Sequence, residues 1–138
     1  AIAALSSQPI EYLFNTHWHG DHSGGNENFG KKGALIIAHE NVKARMSEEQ
    51  KRPFNRSTPA AAEVARPKIT FEKQMNFHLN GEDILVYHFH DGHTDGDAVV
   101  YFPKSNVIHM GDTYFNIGYP YSLNLINCYS TIYQNYDC

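Results

Sequence analysis

The chain has 138 residues, a length typical of one domain, and 41% of them are hydrophobic, which is enough to build a core. A net charge of −4 gives no reason to expect nucleic acid or an anionic membrane surface as a partner. An aromatic content of 13% argues against disorder, and the absence of any run of about 18 apolar residues argues against a transmembrane helix.

The first half of the chain predicts strands that alternate with helices. Short apolar segments predict the strands, and polar segments with capping residues predict the helices, in the order strand 10–16, helix 24–30, strand 34–39 and helix 41–50. Residues 51–68 contain three prolines among Ser, Thr, Asn and Ala. We therefore expect a surface loop there, with one turn of helix at 60–65.

The second half of the chain predicts mainly strands. These strands are expected at 69–73, 75–79, 83–90, 98–102 and 106–110. Asn80-Gly81 is a strong hairpin signal between the second and third of them. Strands alternating with helices, followed by several strands, predict an α/β domain in which two sheets pack face to face.

Residues with metal-binding side chains cluster after the first predicted strand. His17, His19, Asp21 and His22 fall within six positions, a density that isolated structural histidines do not explain. Residues two apart in an extended segment project to the same side, so His17 and His19 can bind one ion together. A sharp turn at Gly20 lets Asp21 and His22 face a neighbouring ion.

Two distant residues complete this predicted site. His93 lies in the loop at 90–97, and Asp112 follows the strand at 106–110. The two oxygens of a carboxylate allow Asp112 to sit between two ions. Imidazole ligands favour zinc over magnesium or calcium, and three histidines with an open position are typical of catalytic zinc. Two such ions about 3.5–4 Å apart lower the pKa of a shared water to about 7.

The other histidines are expected to have structural roles, and they are His39, His78, His88, His90 and His109. Within this set, His88 and His90 share one face of the predicted strand 83–90. That position makes them candidates to support the metal ligands through hydrogen bonds.

Three motifs resemble the metallo-β-lactamase superfamily. They are Thr-His-Trp-His-Gly-Asp-His-Ser-Gly-Gly-Asn at 16–26, Gly-His-Thr-Asp-Gly-Asp at 92–97 and His-Met-Gly-Asp-Thr at 109–113. The first motif is highly specific, the other two are specific in its company, and the resemblance covers roughly residues 5–120. It implies an αββα sandwich, here partial, with the metals at one edge of the two sheets.

The resemblance also implies a role for each ligand: the first metal is bound by His17, His19 and His93, the second by Asp21 and His22, with Asp112 bridging. In this family a hydroxide attacks the ester, thioester or amide (lactam) carbonyl of a small-molecule substrate, and Asp21 would help to orient it. An Asp at 112 is similar to the glyoxalase II and broad hydrolase branches. The zinc β-lactamases have a Cys at that place.

Two departures from the family pattern limit this interpretation. Only about 16 residues precede the first motif, where the family has further strands, and no His follows His109 to complete the second metal site. We therefore interpret residues 1–120 as a partial domain and residues 121–138 as an atypical, truncated or frame-shifted tail. Missing strands predict an exposed sheet edge and self-association.

These departures leave two alternatives to a dinuclear zinc hydrolase. One is a metal-binding fragment with weak or no activity. The other is a mononuclear iron enzyme of the persulfide dioxygenase kind, which shares the fold that the resemblance implies.

Overall fold

A computed structural model describes residues 4–52 and 56–115. Its strands are β1 (Tyr12–Phe14), β2 (Leu35–His39), β3 (Gln50–Arg52), β4 (Arg56–Thr58), β5 (Ile69–Phe71), β6 (Gln74–Leu79), β7 (Glu82–His88), β8 (Ala98–Phe102) and β9 (Val107–His109). Its helices are α1 (Gly20–Ser23), α2 (Asn26–Gly30) and α3 (Glu40–Ser47), and 3₁₀ turns lie at Glu63–Ala65 and Gly111–Thr113. None of the described helices has the length and apolar character needed to cross a bilayer.

The strands form two main sheets. One is parallel, in the order β1-β2-β5, and the other is antiparallel, in the order β6-β7-β8-β9. In the central parallel strand, Ile36 and Ile37 are 1% and 0% exposed, so both faces of β2 are covered. Such double burial is typical of parallel strands. Helices α2 and α3 both contact β2 and provide one of these covers.

The main core lies between the two sheets. Phe71 of β5 packs there against side chains of β7 and β8, which are Ile84, Val86, Ala98 and Val100. In β7 the buried residues alternate with more exposed ones, as expected for a strand with one face in a core. On the other side of the parallel sheet, Val42 and Met46 of α3 pack on Ala38. The described residues thus form a helix layer and two sheets, which are three layers of the expected sandwich.

All of the predicted strands are present, and their ends shift by at most two residues. The helix predicted at 24–30 is confirmed as α2, which begins at Asn26, but a separate short helix, α1, was not predicted and places Asp21 and His22 on a helix. The helix predicted at 41–50 ends at Ser47, since Gln50 begins β3.

The loop predicted at 51–68 is also wrong in part, because β3 and β4 form a two-stranded hairpin. Its strands have three residues each, and the side chains of Lys51 and Ser57 are exposed. Strands this short and this polar produce no readable hydrophobic alternation. The helical turn predicted at 60–65 is confirmed as the 3₁₀ turn Glu63–Ala65.

The described part of the chain ends shortly after β9. Among the described strands, β9 pairs with β8 and forms an edge of the antiparallel sheet, with Val107 and Ile108 51% and 42% exposed. Self-association through this edge stays a prediction. The tail at 121–138 lies outside the described residues.

Candidate metal centre

The predicted ligands come from the segments that follow three different strands. His17 and His19 follow β1, His93 lies between β7 and β8, and Asp112 lies in the 3₁₀ turn after β9. The carbonyl of Thr16 accepts a hydrogen bond of 2.8 Å from the amide of Ala98, which ties the first of these segments to the antiparallel sheet. The ligand-bearing segments therefore meet where the two sheets come together.

Three imidazoles form the first ligand group. His17, His19 and His93 each offer a ring nitrogen, and these nitrogens all lie within 4.8 Å of one another. The three ring pairs have centroid distances of 4.9, 5.1 and 4.8 Å and meet nearly edge to face. Tetrahedral zinc with bonds of about 2.0–2.1 Å keeps its ligand nitrogens roughly 3.3 Å apart, so small side-chain adjustments suffice.

His17 belongs to a second group as well, together with His22 and Asp112. Asp112 Oδ1 lies 3.0 Å from Nε2 of His22, whereas Oδ2 lies 3.9 Å from Nε2 of His17 and 3.7 Å from Nε2 of His93. The two oxygens of one carboxylate thus face the two ligand groups. A bridging ligand requires this arrangement.

The Nε2 atom of His17 provides a test of whether the residues fit a metal. It is buried and has no hydrogen-bond partner among the described residues. Leaving such an atom unsatisfied costs about 1–3 kcal/mol. Burial, together with the neighbouring His22, His19 and His93, lowers the pKa of His17 from 6.5 to about 3, so the ring is neutral and keeps a lone pair. A divalent cation satisfies this atom, and the residues fit one.

Thr16 orients the His17 ring, a role that sequence reasoning missed. Its Oγ1 lies 3.2 Å from Nδ1 of His17, which leaves Nε2 to face the ligand groups. Thr16 also lies against Gly111, where an added Cβ would come within 2.6 Å of Thr16 Oγ1. Gly111 has a φ of +53°, which a glycine adopts without strain. It therefore permits both the turn and the close approach to Thr16 that place Asp112 near the ligand groups. The sequence signal for this close approach was a Gly placed directly before the predicted ligand Asp112.

Asp97 organises the backbone around His93 and was also missed. It is 2% exposed, and its carboxylate accepts hydrogen bonds from the amide and the hydroxyl of Thr94, at 2.8 and 2.7 Å. A Cβ on Gly92 would collide with the same carboxylate. Burial raises the pKa of Asp97 above its usual range. The residues on both sides of His93 are therefore fixed by one buried acid.

The structure does not bring Asp21 into either ligand group. Its side chain is 77% exposed, and its Oδ2 lies 3.5 Å from Nε2 of His22. A hydrogen bond with its own backbone N–H is the main cause that lowers the pKa of Asp21, so the carboxylate is ionised at neutral pH. Its predicted role as a ligand of the second metal stays a prediction.

The two supporting histidines are placed differently. Nδ1 of His88 lies 2.8 Å from the carbonyl oxygen of Asp97, so His88 contacts the segment that carries His93. His90 is exposed and lies beyond the end of β7, so the prediction of a shared strand face is wrong. The two rings still meet edge to face, at a centroid distance of 4.4 Å.

Comparison with known proteins identifies the family and the fold of the chain. The family model of the metallo-beta-lactamase superfamily matches residues 1–123. A hydroxyacylglutathione hydrolase from Pelagibacter ubique is 29% identical over 110 residues, which are 79% of this chain and 38% of that protein. Metallo-beta-lactamase IND-1 from Chryseobacterium indologenes is 28% identical over 103 residues, 75% of this chain and 38% of that protein. The chain thus spans less than two fifths of the length of these relatives.

Solved structures show the same fold. A metallo-beta-lactamase from Pontibacter korlensis matches with a TM-score of 0.72 at 23% identity, covering 98% of this chain and 60% of that chain. Metallo-beta-lactamase IND-7 matches with a TM-score of 0.69 at 21% identity, covering 99% of this chain and 60% of that chain. The fold implied by the three motifs is confirmed. Since the family model matches most of its length, the chain belongs to the metallo-beta-lactamase superfamily.

Proposed function

We propose that the chain is the metal-binding part of a zinc-dependent hydrolase that uses two zinc ions to act on a carbonyl of a small-molecule substrate. The observation that carries this proposal is the buried, unsatisfied Nε2 of His17, which belongs to both ligand groups. The relatives described above are hydrolases by name, which supports the reaction class. The donor set of imidazoles and one carboxylate suits zinc and also iron.

The residues divide between two ions in this proposal. His17, His19 and His93 would hold the first ion, and His22 with Asp21 the second. Asp112 would give one oxygen to each, as its distances to His17 and His22 allow. When bound, zinc in such a site supplies Lewis acidity, which lowers the pKa of water to about 7 and polarises a carbonyl oxygen.

Asp21 would handle the proton of the attacking water. Its carboxylate is ionised and exposed beside His22, so one oxygen would bind the second ion while the other would accept a proton and pass it to the leaving group. The neutral His17 cannot do this, because its lone pair is needed for binding and its pKa is about 3. In this proposal Asp21 would combine a ligand role with an acid–base role, whereas His17 would be a ligand alone.

An ester or thioester is our preferred substrate class. Asp112 stands where the resemblance places a Cys in the zinc β-lactamases, and one of the similar proteins is a hydroxyacylglutathione hydrolase. Both observations favour an ester or thioester carbonyl over the amide of a lactam ring.

The experiment is metal analysis by elemental mass spectrometry on protein purified without added metal, followed by hydrolysis assays with a thioester, an ester and a β-lactam. We expect about two zinc ions per chain and hydrolysis of the thioester or ester. His19→Gln should lose both metal and activity. His78→Gln is the matched control, because His78 pairs with Asp83 on an exposed strand face away from the centre.

The other outcomes identify the alternatives. Zinc at one ion per chain or less, with no hydrolysis of any substrate, would replace the proposal with a metal-binding fragment. Iron in place of zinc, with oxygen consumption in the presence of a persulfide, would replace it with the dioxygenase alternative.

A further inference from the structure

The segment between β7 and β8 carries His93 and is closed at its base by Asp97. The carbonyl of Asp97 accepts a hydrogen bond of 2.9 Å from the amide of Phe89, which joins the two ends of the segment. The carboxylate of the same residue holds Thr94, the neighbour of His93. Any group that fixes Asp97 therefore also fixes the backbone from which His93 projects.

His88 is such a group. Its Nδ1 lies 2.8 Å from the same carbonyl oxygen of Asp97. A carbonyl oxygen can only accept, so Nδ1 carries the hydrogen and donates it. His88 is the last residue of β7, and its backbone is held in the antiparallel sheet by its pairing with Ala98. The donor thus comes from the rigid end of a strand.

His39 holds the ring of His88 from the other sheet. The two imidazoles are stacked, with centroids 3.7 Å apart and ring planes inclined by 20°. His39 ends β2 and is 4% exposed. Its Nδ1 accepts a hydrogen bond of 3.2 Å from the amide of Asn41, so its Nε2 carries the hydrogen and donates it to the carbonyl of Glu72 at 2.7 Å. Both nitrogens of His39 are therefore used to fix its plane.

We propose that His39 and His88 act as one unit that positions the metal ligand His93. The parallel sheet fixes His39, the stack fixes the plane of His88, and the donor of His88 fixes Asp97 and with it the segment around His93. Both are positioning residues, since neither lies in a ligand group. The inference rests on the proposed function only in that His93 binds a metal.

Three substitutions separate the donor from the stack. His88→Phe keeps an aromatic ring beside His39 but loses the donor, and a cavity of about 470 Å³ lined by both histidines leaves room for the larger ring. His88→Asn removes the ring but keeps an N–H near the position of Nδ1. His39→Leu removes the stack and leaves the donor of His88 in place. Val86→Ala is the control, because it empties part of the core from β7 without touching this segment.

The first readout needs no metal and is the hydrogen exchange of the Thr94 amide relative to the amides of β8. We expect exchange to be about tenfold faster in His88→Phe, within about threefold of the wild type in His88→Asn, and between these in His39→Leu. Val86→Ala should accelerate both sets of amides together. The inference is overturned if the exchange rate of the Thr94 amide in His88→Phe rises only as much as the rates of the β8 amides, as in Val86→Ala.

The second readout is the affinity for Co²⁺, measured by competition with a chromophoric chelator. His88→Phe should weaken binding by about 10–100-fold, the range found for residues that support metal ligands, and His88→Asn should restore most of it. If Thr94 responds as expected but the wild-type chain binds no Co²⁺, the proposed function fails while the support of the segment stands. Unchanged Co²⁺ affinity in His88→Phe contradicts the positioning role itself.

Discussion

The two ligand groups share His17 but differ in how their other members are held. In the first group, His93 projects from a segment whose backbone is fixed on both sides by the buried Asp97. In the second, the side chains of His22 and Asp112 are 25% and 20% exposed. The first group is therefore organised by the protein before any metal binds, whereas the second depends more on the metal for its geometry.

The difference in burial implies a difference in energetic cost. His17 is 0% exposed and its Nε2 lacks a hydrogen bond among the described residues, so the metal-free protein carries an unsatisfied buried atom. Metal binding at the first group removes this cost. At the second group the ligands exchange contacts with solvent for contacts with the metal, and the gain is smaller. We therefore expect the first group to bind metal more tightly.

Replacing His17 should have the largest effect, because its buried and unsatisfied Nε2 would bind the first ion. We expect His17→Gln to weaken zinc binding at the first group by more than about 100-fold, beyond the range found for residues that only support ligands. Zinc stoichiometry and affinity from calorimetric titration measure this, with His78→Gln as the control. Two zinc ions retained with unchanged affinity in His17→Gln would show that His17 binds neither ion.

Replacing Asp112 should separate the two groups. Asp112→Asn keeps the size of the side chain but removes its charge, so the carboxylate that lies 3.0 Å from His22 is lost. We expect the stoichiometry to fall from about two zinc ions to about one, with affinity at the first group reduced by about tenfold or less. Equal loss at both groups would mean that Asp112 is as important to the first as to the second.

The sequence was sufficient for the parts of this centre that are local. His17, His19 and His22 lie within six positions, so their spacing alone predicts a common site. His93 and Asp112 were predictable because each follows a strand, and function concentrates at such strand ends. The strands themselves were predictable from runs of apolar residues such as those around Ile36.

His88 was predicted as a supporting residue, but its contacts and the roles of His39 and Thr16 were not predictable, because their partners are distant in the chain. His39 meets Glu72 and His88 only after β2, β5 and β7 have assembled, and no spacing in the sequence announces these contacts. Thr16 meets Gly111 for the same reason. The helix α1 was missed because Gly20 suggests a turn, and a helix of four residues leaves no periodic pattern to read.

The pH dependence of stability should reflect the unsatisfied His17. Its pKa is about 3 in the folded chain and about 6.5 in the unfolded chain, so below pH 6.5 the unfolded state binds a proton that the folded state does not. This stability is complete above pH 6.5 and falls as the pH drops towards 3. For the metal-free protein we expect a loss of about 1–2 kcal/mol between pH 7 and pH 5.

Urea unfolding of metal-free protein at both pH values measures this loss. His17→Gln should show a smaller loss, although some remains because burial also lowers the pKa of His88. His78→Gln should behave like the wild type. Equal pH dependence in His17→Gln and the wild type would mean that the burial of His17 does not govern the acid sensitivity of the metal-free chain.

The smallest effect is expected from replacing Arg45, which contacts the exposed side of the segment that carries His93. Arg45 of α3 donates two hydrogen bonds to Oδ2 of Asp95, at 3.0 and 2.8 Å, but the two side chains are 48% and 41% exposed. Solvent screens such a pair, which contributes about 0–1 kcal/mol. We expect Arg45→Met to lower the free energy of unfolding by less than about 1 kcal/mol and to leave zinc affinity at the first group within about fivefold.

Lys43→Met is the matched control, because it removes a positive charge from the same helix but not the ion pair with Asp95. High salt should abolish the remaining difference in stability between the two variants. The comparison with His88→Phe decides which contact controls the metal ligand. If the contact of His88 with Asp97 controls the position of His93, the loss of zinc affinity in His88→Phe exceeds the loss in Arg45→Met by at least about tenfold. A larger loss in Arg45→Met would assign control of the first group to α3.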